Sequence, residues 1–139
     1  MSDLSESPQE VADRLGLDLV LPGPLELQID LDSPDDHVVL TMMRELLAKN
    51  GELVEEVKRT TSAGGNTHVT LKMPAGWGEL SPLLRVALQA CLGSDRKREV
   101  LSILRIVRTY DMPATCFFEK RDGAVPGLST PVEDAELSI

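Results

Sequence analysis

Two stretches of the chain alternate apolar and polar residues at the period of a half-buried strand. In Leu25–Leu31, Leu27, Ile29 and Leu31 face one way, and Asp30, with Asp32 just beyond, the other. In residues 67–73, Val69, Leu71 and Met73 alternate with His68, Thr70 and Lys72. Residues 53–61 also alternate and carry β-branched residues, and the turn Ser62-Ala63-Gly64-Gly65-Asn66 joins them to the next strand as a hairpin. Elsewhere the period is helical. Val39, Leu40, Met43, Leu46 and Leu47 follow the start signal Ser33-Pro34-Asp35-Asp36 and run to Asn50-Gly51. Ser81-Pro82 opens a second helix to about Leu92. Gly93-Ser94-Asp95 breaks it, and a third runs from about 95 to 108 on the stripe Val100, Leu101, Leu104 and Val107. Ser7-Pro8-Gln9-Glu10 has capping-box spacing for a short helix over 8–15, ended by Gly16. Pro113 precedes a last strand at 115–119.

The order β-α-β-β-α-α-β predicts an α+β fold, the ferredoxin-like or RNA-recognition-like antiparallel sheet with helices on one face. Its first and third strands would be central neighbours. Residues 1–20 read as an N-terminal tail and short helix, 21–120 as one domain, and 121–139 as a disordered acidic tail. With the aliphatic positions turned to the helices, Asp30, Asp32, His68, Thr70 and Lys72 would share an open face.

A chain of 139 residues with 42% hydrophobic content supports one modest core, almost wholly aliphatic. Cys91 and Cys116 have no metal-type spacing and read as buried free thiols. The net charge of −9 argues against general nucleic-acid binding, although Arg96-Lys97-Arg98, Arg105 and Arg108 form a local basic run. The acidic, polar N-terminus is unlike a secretory signal. No apolar run approaches the roughly 18–20 residues needed to span a bilayer. A soluble, cytoplasmic protein without membrane partners is expected.

Chemistry concentrates in the two alternating strands. Carboxylates at i and i+2 on a strand, here Asp30 and Asp32, suit Mg²⁺ or Mn²⁺, which take oxygen ligands and keep waters that substrate phosphates displace. A glycine-rich turn lets backbone N–H groups approach phosphates. His68 and Lys72 can bind phosphate oxygens, with Arg105 or Arg108 assisting.

Ile29-Asp30-Leu31-Asp32, followed by Ser62-Ala63-Gly64-Gly65-Asn66-Thr67-His68-Val69, resembles the archaeo-eukaryotic primase (primase-polymerase) superfamily. The resemblance covers residues 25–73 and implies an RNA-recognition-like core. It implies metal binding by Asp30 and Asp32, and nucleotide contacts from Ser62, Gly64, Gly65 and His68. It implies a nucleoside triphosphate substrate, a DNA template and a role in replication of a phage or other mobile element. The family has a third acid on a late strand, for which Glu119 and Asp111 are the candidates. Thr70, Lys72 and Arg105 complete the expected nucleotide contacts, and Asp30, Asp32 and His68 the catalytic set.

Other classes remain open. A non-catalytic acidic protein that contacts a host or phage protein fits the charge and the small size. A metal-dependent phosphohydrolase would use the same acids. A two-histidine phosphoesterase would need His37 beside His68, but His37 falls in the first turn of a helix. A reader of single-stranded RNA would need aromatics on the central strands, which carry none.

Overall fold

The computed structural model describes residues 6–61, 66–108 and 113–119. In chain order the elements are α1 (Pro8–Leu15), β1 (Asp18–Val20), β2 (Glu26–Leu31), α2 (Pro34–Lys49), β3 (Glu55–Thr61), β4 (Thr67–Lys72), α3 (Pro82–Cys91), α4 (Arg96–Val107) and β5 (Phe117–Glu119). Each of the first three helices starts where the sequence puts a serine before a proline. The Ser7, Ser33 and Ser81 hydroxyls accept the N–H groups of Glu10, Asp36 and Leu84. At α1 the box is reciprocal, and Gly16 closes the helix with a left-handed φ of 71°.

The fold is α+β, as expected. Antiparallel strands β2, β4 and β3, in that order, make the main sheet, so the first and third core strands are neighbours. Leu27, Ile29 and Leu31 of β2 and Val69 and Leu71 of β4 are fully buried. They form one core with Leu40 of α2, Val54, Met73, Leu80 and Leu92, flanked by Met43, Leu47, Trp77 and Leu88. This is the aliphatic face that the alternation predicts.

Three features depart from expectation. First, residues 18–20 form a strand that sequence reading leaves out. Second, β5 does not join the free edge of β2, where a ferredoxin-like sheet would have it. It pairs antiparallel with β1, Leu19 opposite Phe118. Third, the polar face is not open. The β1–β5 ribbon lies across it and is reached from all three main strands. Gln28 of β2 donates to the Val20 carbonyl at 3.0 Å, His68 of β4 stacks on Phe117, and Lys58 of β3 pairs with Glu119 at 2.9 Å. Cys116 is buried as expected, but Cys91, at the end of α3, is exposed; both are free thiols. The expected acidic tail at 121–139 lies outside the described residues. Among the described residues no helix is long and apolar enough to cross a membrane.

The edge of β2 left without a strand partner is closed by side chains of α3 and α4. Gln89 Oε1 accepts the Gln28 N–H at 2.8 Å, and Ser94 Oγ accepts the Asp30 N–H at 3.0 Å. Arg85 donates to the Glu26 carbonyl at 2.9 Å and Arg98 to the Gln28 carbonyl at 2.6 Å. The Asp95 N–H donates to the Asp30 carbonyl at 2.7 Å. A buried edge without partners would lose about 1–3 kcal/mol per group. These side chains are held in turn by the buried Glu99, which accepts from Gln89 Nε2 at 2.9 Å, Ser94 Oγ at 2.7 Å and Arg98 Nη1 at 2.7 Å.

Gly93 sets the junction between α3 and α4. Its φ is +98°, and a Cβ there would sit 2.8 Å from the Asp36 carbonyl oxygen, which is backbone and cannot swing away. Gly93→Ala is expected to cost about 2 kcal/mol or more, read from the midpoint of urea unfolding. Glu99→Ala strips two buried donors and the half-buried Arg98 of their acceptor, and by the same measurement is expected to cost about 3–5 kcal/mol. An unchanged midpoint for Glu99→Ala would show that the edge closes without it.

Candidate functional site

The register of the main sheet sets Asp30 directly opposite His68, with Gln28 opposite Thr70 and Glu26 opposite Lys72. Residues facing each other in register share a face, so the aspartate and the imidazole stand side by side as the alternation predicts. They are also enclosed. Asp30 is 8% exposed and His68 is 9% exposed. Phe117 lies flat on the imidazole, ring centres 4.2 Å apart and planes 4° from parallel, and the Arg98 guanidinium sits 4.8 Å from the centre of the Phe117 ring. Arg98 also donates to the Cys116 carbonyl at 3.0 Å, which ties β5 to the same guanidinium.

The closest approach within the pair is 3.7 Å, from Asp30 Oδ1 to His68 Nε2. That is too long for a hydrogen bond. Oδ1 is buried and has no hydrogen-bond partner among the described residues. Burial pushes the Asp30 carboxyl up to about 6, with Asp95, Asp32 and Glu99 adding to the rise and Arg98 opposing it. Burial pushes the His68 imidazole down to about 4, helped by Arg98 and opposed by Glu119. At neutral pH the pair is therefore a carboxylate facing a neutral ring, not an ion pair.

The site lies at one end of the sheet, where β2 runs into α2. Asp32 follows directly and is exposed, its N–H donating to Asp36 Oδ2 at 3.0 Å. Asn66 and Thr67, at the start of β4, are buried beside His68 in sequence. The first turns of α2 and α4 both reach this end, through Asp36 and Asp95. Their N–H dipoles favour negative charge there, but Ser33 already caps α2 and Asp95 caps α4.

The other expected residues are distributed differently. Ser62, Gly64, Gly65 and Asp111 lie outside the described residues. Thr70 is half-buried on the same face. Lys72 is exposed and four residues along β4 from His68, about 13 Å away at the rise of a strand, so it does not meet Asp30. Arg105 is drawn to the segment before β5, donating to the Ala114 carbonyl at 3.4 Å, because the ribbon packs on α4. Glu119 reaches the polar face but is engaged by Lys58, and it does not form a ligand set with Asp30 and Asp32. No group of three or more His, Cys, Asp or Glu residues placed to hold a metal ion occurs among the described residues. His37 lies in the first turn of α2, as expected.

Family models, curated proteins and solved structures yield no match to this chain.

The neighbours of the pair that sequence reading misses are Gln89, Ser94, Arg98 and Glu99. Arg98 enters the sequence only as part of a basic run and Ser94 only as part of a helix break, and Gln89 and Glu99 carry no reading there. The sole available signal was a glutamine inside the apolar run Val86-Ala87-Leu88-Gln89-Ala90.

The two shifted groups pull stability in opposite directions. Between about pH 4 and 6 the folded protein keeps a proton on Asp30 that the unfolded chain has lost, so this group makes stability fall as pH rises. Between about pH 4 and 6.5 the unfolded chain protonates His68 while the folded protein does not, so this group makes stability rise with pH. The wild type should be nearly flat from pH 4 to 6 as far as this pair is concerned. Asp30→Asn leaves the rising term alone, and is expected to exceed the wild type at pH 7.5 by about 1–3 kcal/mol. Urea unfolding across the pH series checks both. An Asp30→Asn protein less stable than wild type at pH 7.5 would show that the carboxylate supports the fold.

Proposed function

We propose that this protein binds a nucleoside triphosphate together with a divalent cation, Mg²⁺ or Mn²⁺, at the end of the main sheet where Asp30 faces His68 and Asp32 follows in the chain. The observation that carries the reading is the buried, unpartnered Oδ1 of Asp30, 3.7 Å from the ring nitrogen of a neutral histidine. Buried carboxylate oxygens without a donor are uncommon; Arg98 offsets part of the charge of Asp32, Asp95 and Glu99 around Asp30, but burial still holds the carboxyl above its ordinary range, which a directly bound cation would reverse. A hard cation held by oxygen supplies that positive charge.

The residues fit such an ion in part. Asp30 and the exposed Asp32 would hold it, leaving its remaining positions to water and to substrate phosphate. Bound there, the ion would neutralise phosphate charge and orient the triphosphate. His68, uncharged, offers one hydrogen bond and no positive charge. The resemblance to primase-polymerase cores extends the reading to nucleotidyl transfer in mobile-element replication.

The second reading is a non-catalytic acidic protein that contacts a host or phage partner in replication. The covering of the polar face by the β1–β5 ribbon favours it.

Calorimetric titration with a non-hydrolysable nucleoside triphosphate, with and without Mn²⁺, separates the two. Cation-dependent binding is expected in the wild type, and a loss of at least tenfold in Asp30→Asn and Asp32→Asn. Because Asp30→Asn is expected to fold well, its loss of binding cannot be put down to unfolding. No binding by the wild type in either condition overturns the proposal in favour of the non-catalytic reading.

A further inference from the structure

Helix α2 carries two apolar faces, and the core uses only one. Leu40, Met43 and Leu47 pack inward. Val38, Met42 and Leu46, at i, i+4 and i+8, are 56%, 54% and 54% exposed on the other side. At 100° per residue these three lie within about 40° of one line centred on Met42. Asp35 and Lys49 lie within about 20° of the same line, each seven residues from Met42, and both are exposed. The outer face of α2 is thus an apolar stripe with an acid at one end and a base at the other, symmetric about its midpoint.

We propose that this face pairs with the same face of a second copy of the chain, antiparallel, about a two-fold axis at Met42. In that arrangement each Asp35 meets Lys49 of the other copy, and Val38, Met42 and Leu46 of both copies leave water. A parallel pairing would set Asp35 against Asp35 and Lys49 against Lys49, so the charges select the antiparallel form. The helix is about 24 Å long, and the interface is small beside the roughly 800 Å² per partner of a stable complex. The dimer is therefore weak and concentration-dependent. This inference is independent of the nucleotide reading.

Asp35 and Lys49 also suit the helix dipole, acid at the N-terminus and base at the C-terminus. The test removes that ambiguity. Sedimentation equilibrium over a concentration series is expected to show the wild-type mass rising from 15.2 kDa toward twice that value. Asp35→Lys and Lys49→Asp should each weaken association at least threefold. The double variant Asp35→Lys/Lys49→Asp should restore it, although it opposes the dipole in both copies. Met42→Glu, on an exposed helix face, should leave a folded monomer by circular dichroism. A wild type that stays at the monomer mass at its highest soluble concentration overturns the proposal. So does a dimer that survives Met42→Glu, or a double variant no better than the single ones.

Discussion

The structure hangs on how one strand edge is satisfied. Strand β2 is central to the core, yet only β4 pairs with it, and its other edge must find partners away from water. The side chains of Arg85, Gln89, Ser94 and Arg98 and the backbone N–H of Asp95 supply them from α3, α4 and their junction, and Glu99 fixes three of those side chains, Gln89, Ser94 and Arg98, by accepting from each. A fourth strand would have met the same need with backbone alone. Using side chains makes the edge depend on a single buried carboxylate. It also brings a guanidinium into the sheet at the level of Gln28.

That guanidinium links scaffold and site. Arg98 bonds to Glu99, to the Gln28 carbonyl and to the Cys116 carbonyl, and it lies against Phe117. The same charge lowers the pKa of both Asp30 and His68. It therefore favours the ionised aspartate and the neutral imidazole together. Asp30 is held at both of its backbone groups by the α3–α4 junction, its N–H by Ser94 and its carbonyl by Asp95. The position of the carboxyl is consequently set by the edge closure more than by its pairing with β4. The ribbon then excludes water from the pair, and each nearby charge acts more strongly for it.

Much of this was legible in residue pattern, and the remainder was not for definable reasons. The strands β2 and β4 and helices α2, α3 and α4 are long enough for their periods to be read, and serine–proline starts mark three helices. The pairing of β2 with β4 followed from topology, and with it the juxtaposition of Asp30 and His68. Strands β1 and β5 are three residues each, too short to show a period, so their ribbon and its place over the polar face could not be seen. Alternation says which residues share a face; it does not say what lies above that face. Nor does it distinguish a buried charged residue from a solvated one: Glu99 and Arg96 stand three apart on one helix, the first buried and the second exposed.

The contrast between the two buried acids bears on function. Glu99 has hydrogen bonds to both carboxylate oxygens, from three side chains. Asp30, whose backbone joins the same network, has a buried carboxylate oxygen with none among the described residues. A carboxylate retained for the fold is expected to resemble the first, because an unsatisfied buried oxygen costs free energy that any apolar or amide replacement would recover. Perturbed, incompletely satisfied groups concentrate where a protein binds or reacts. Glu99 is completed by the scaffold and closes the sheet, whereas Asp30 is left incomplete, and it is this contrast that supports the proposal of a ligand at Asp30.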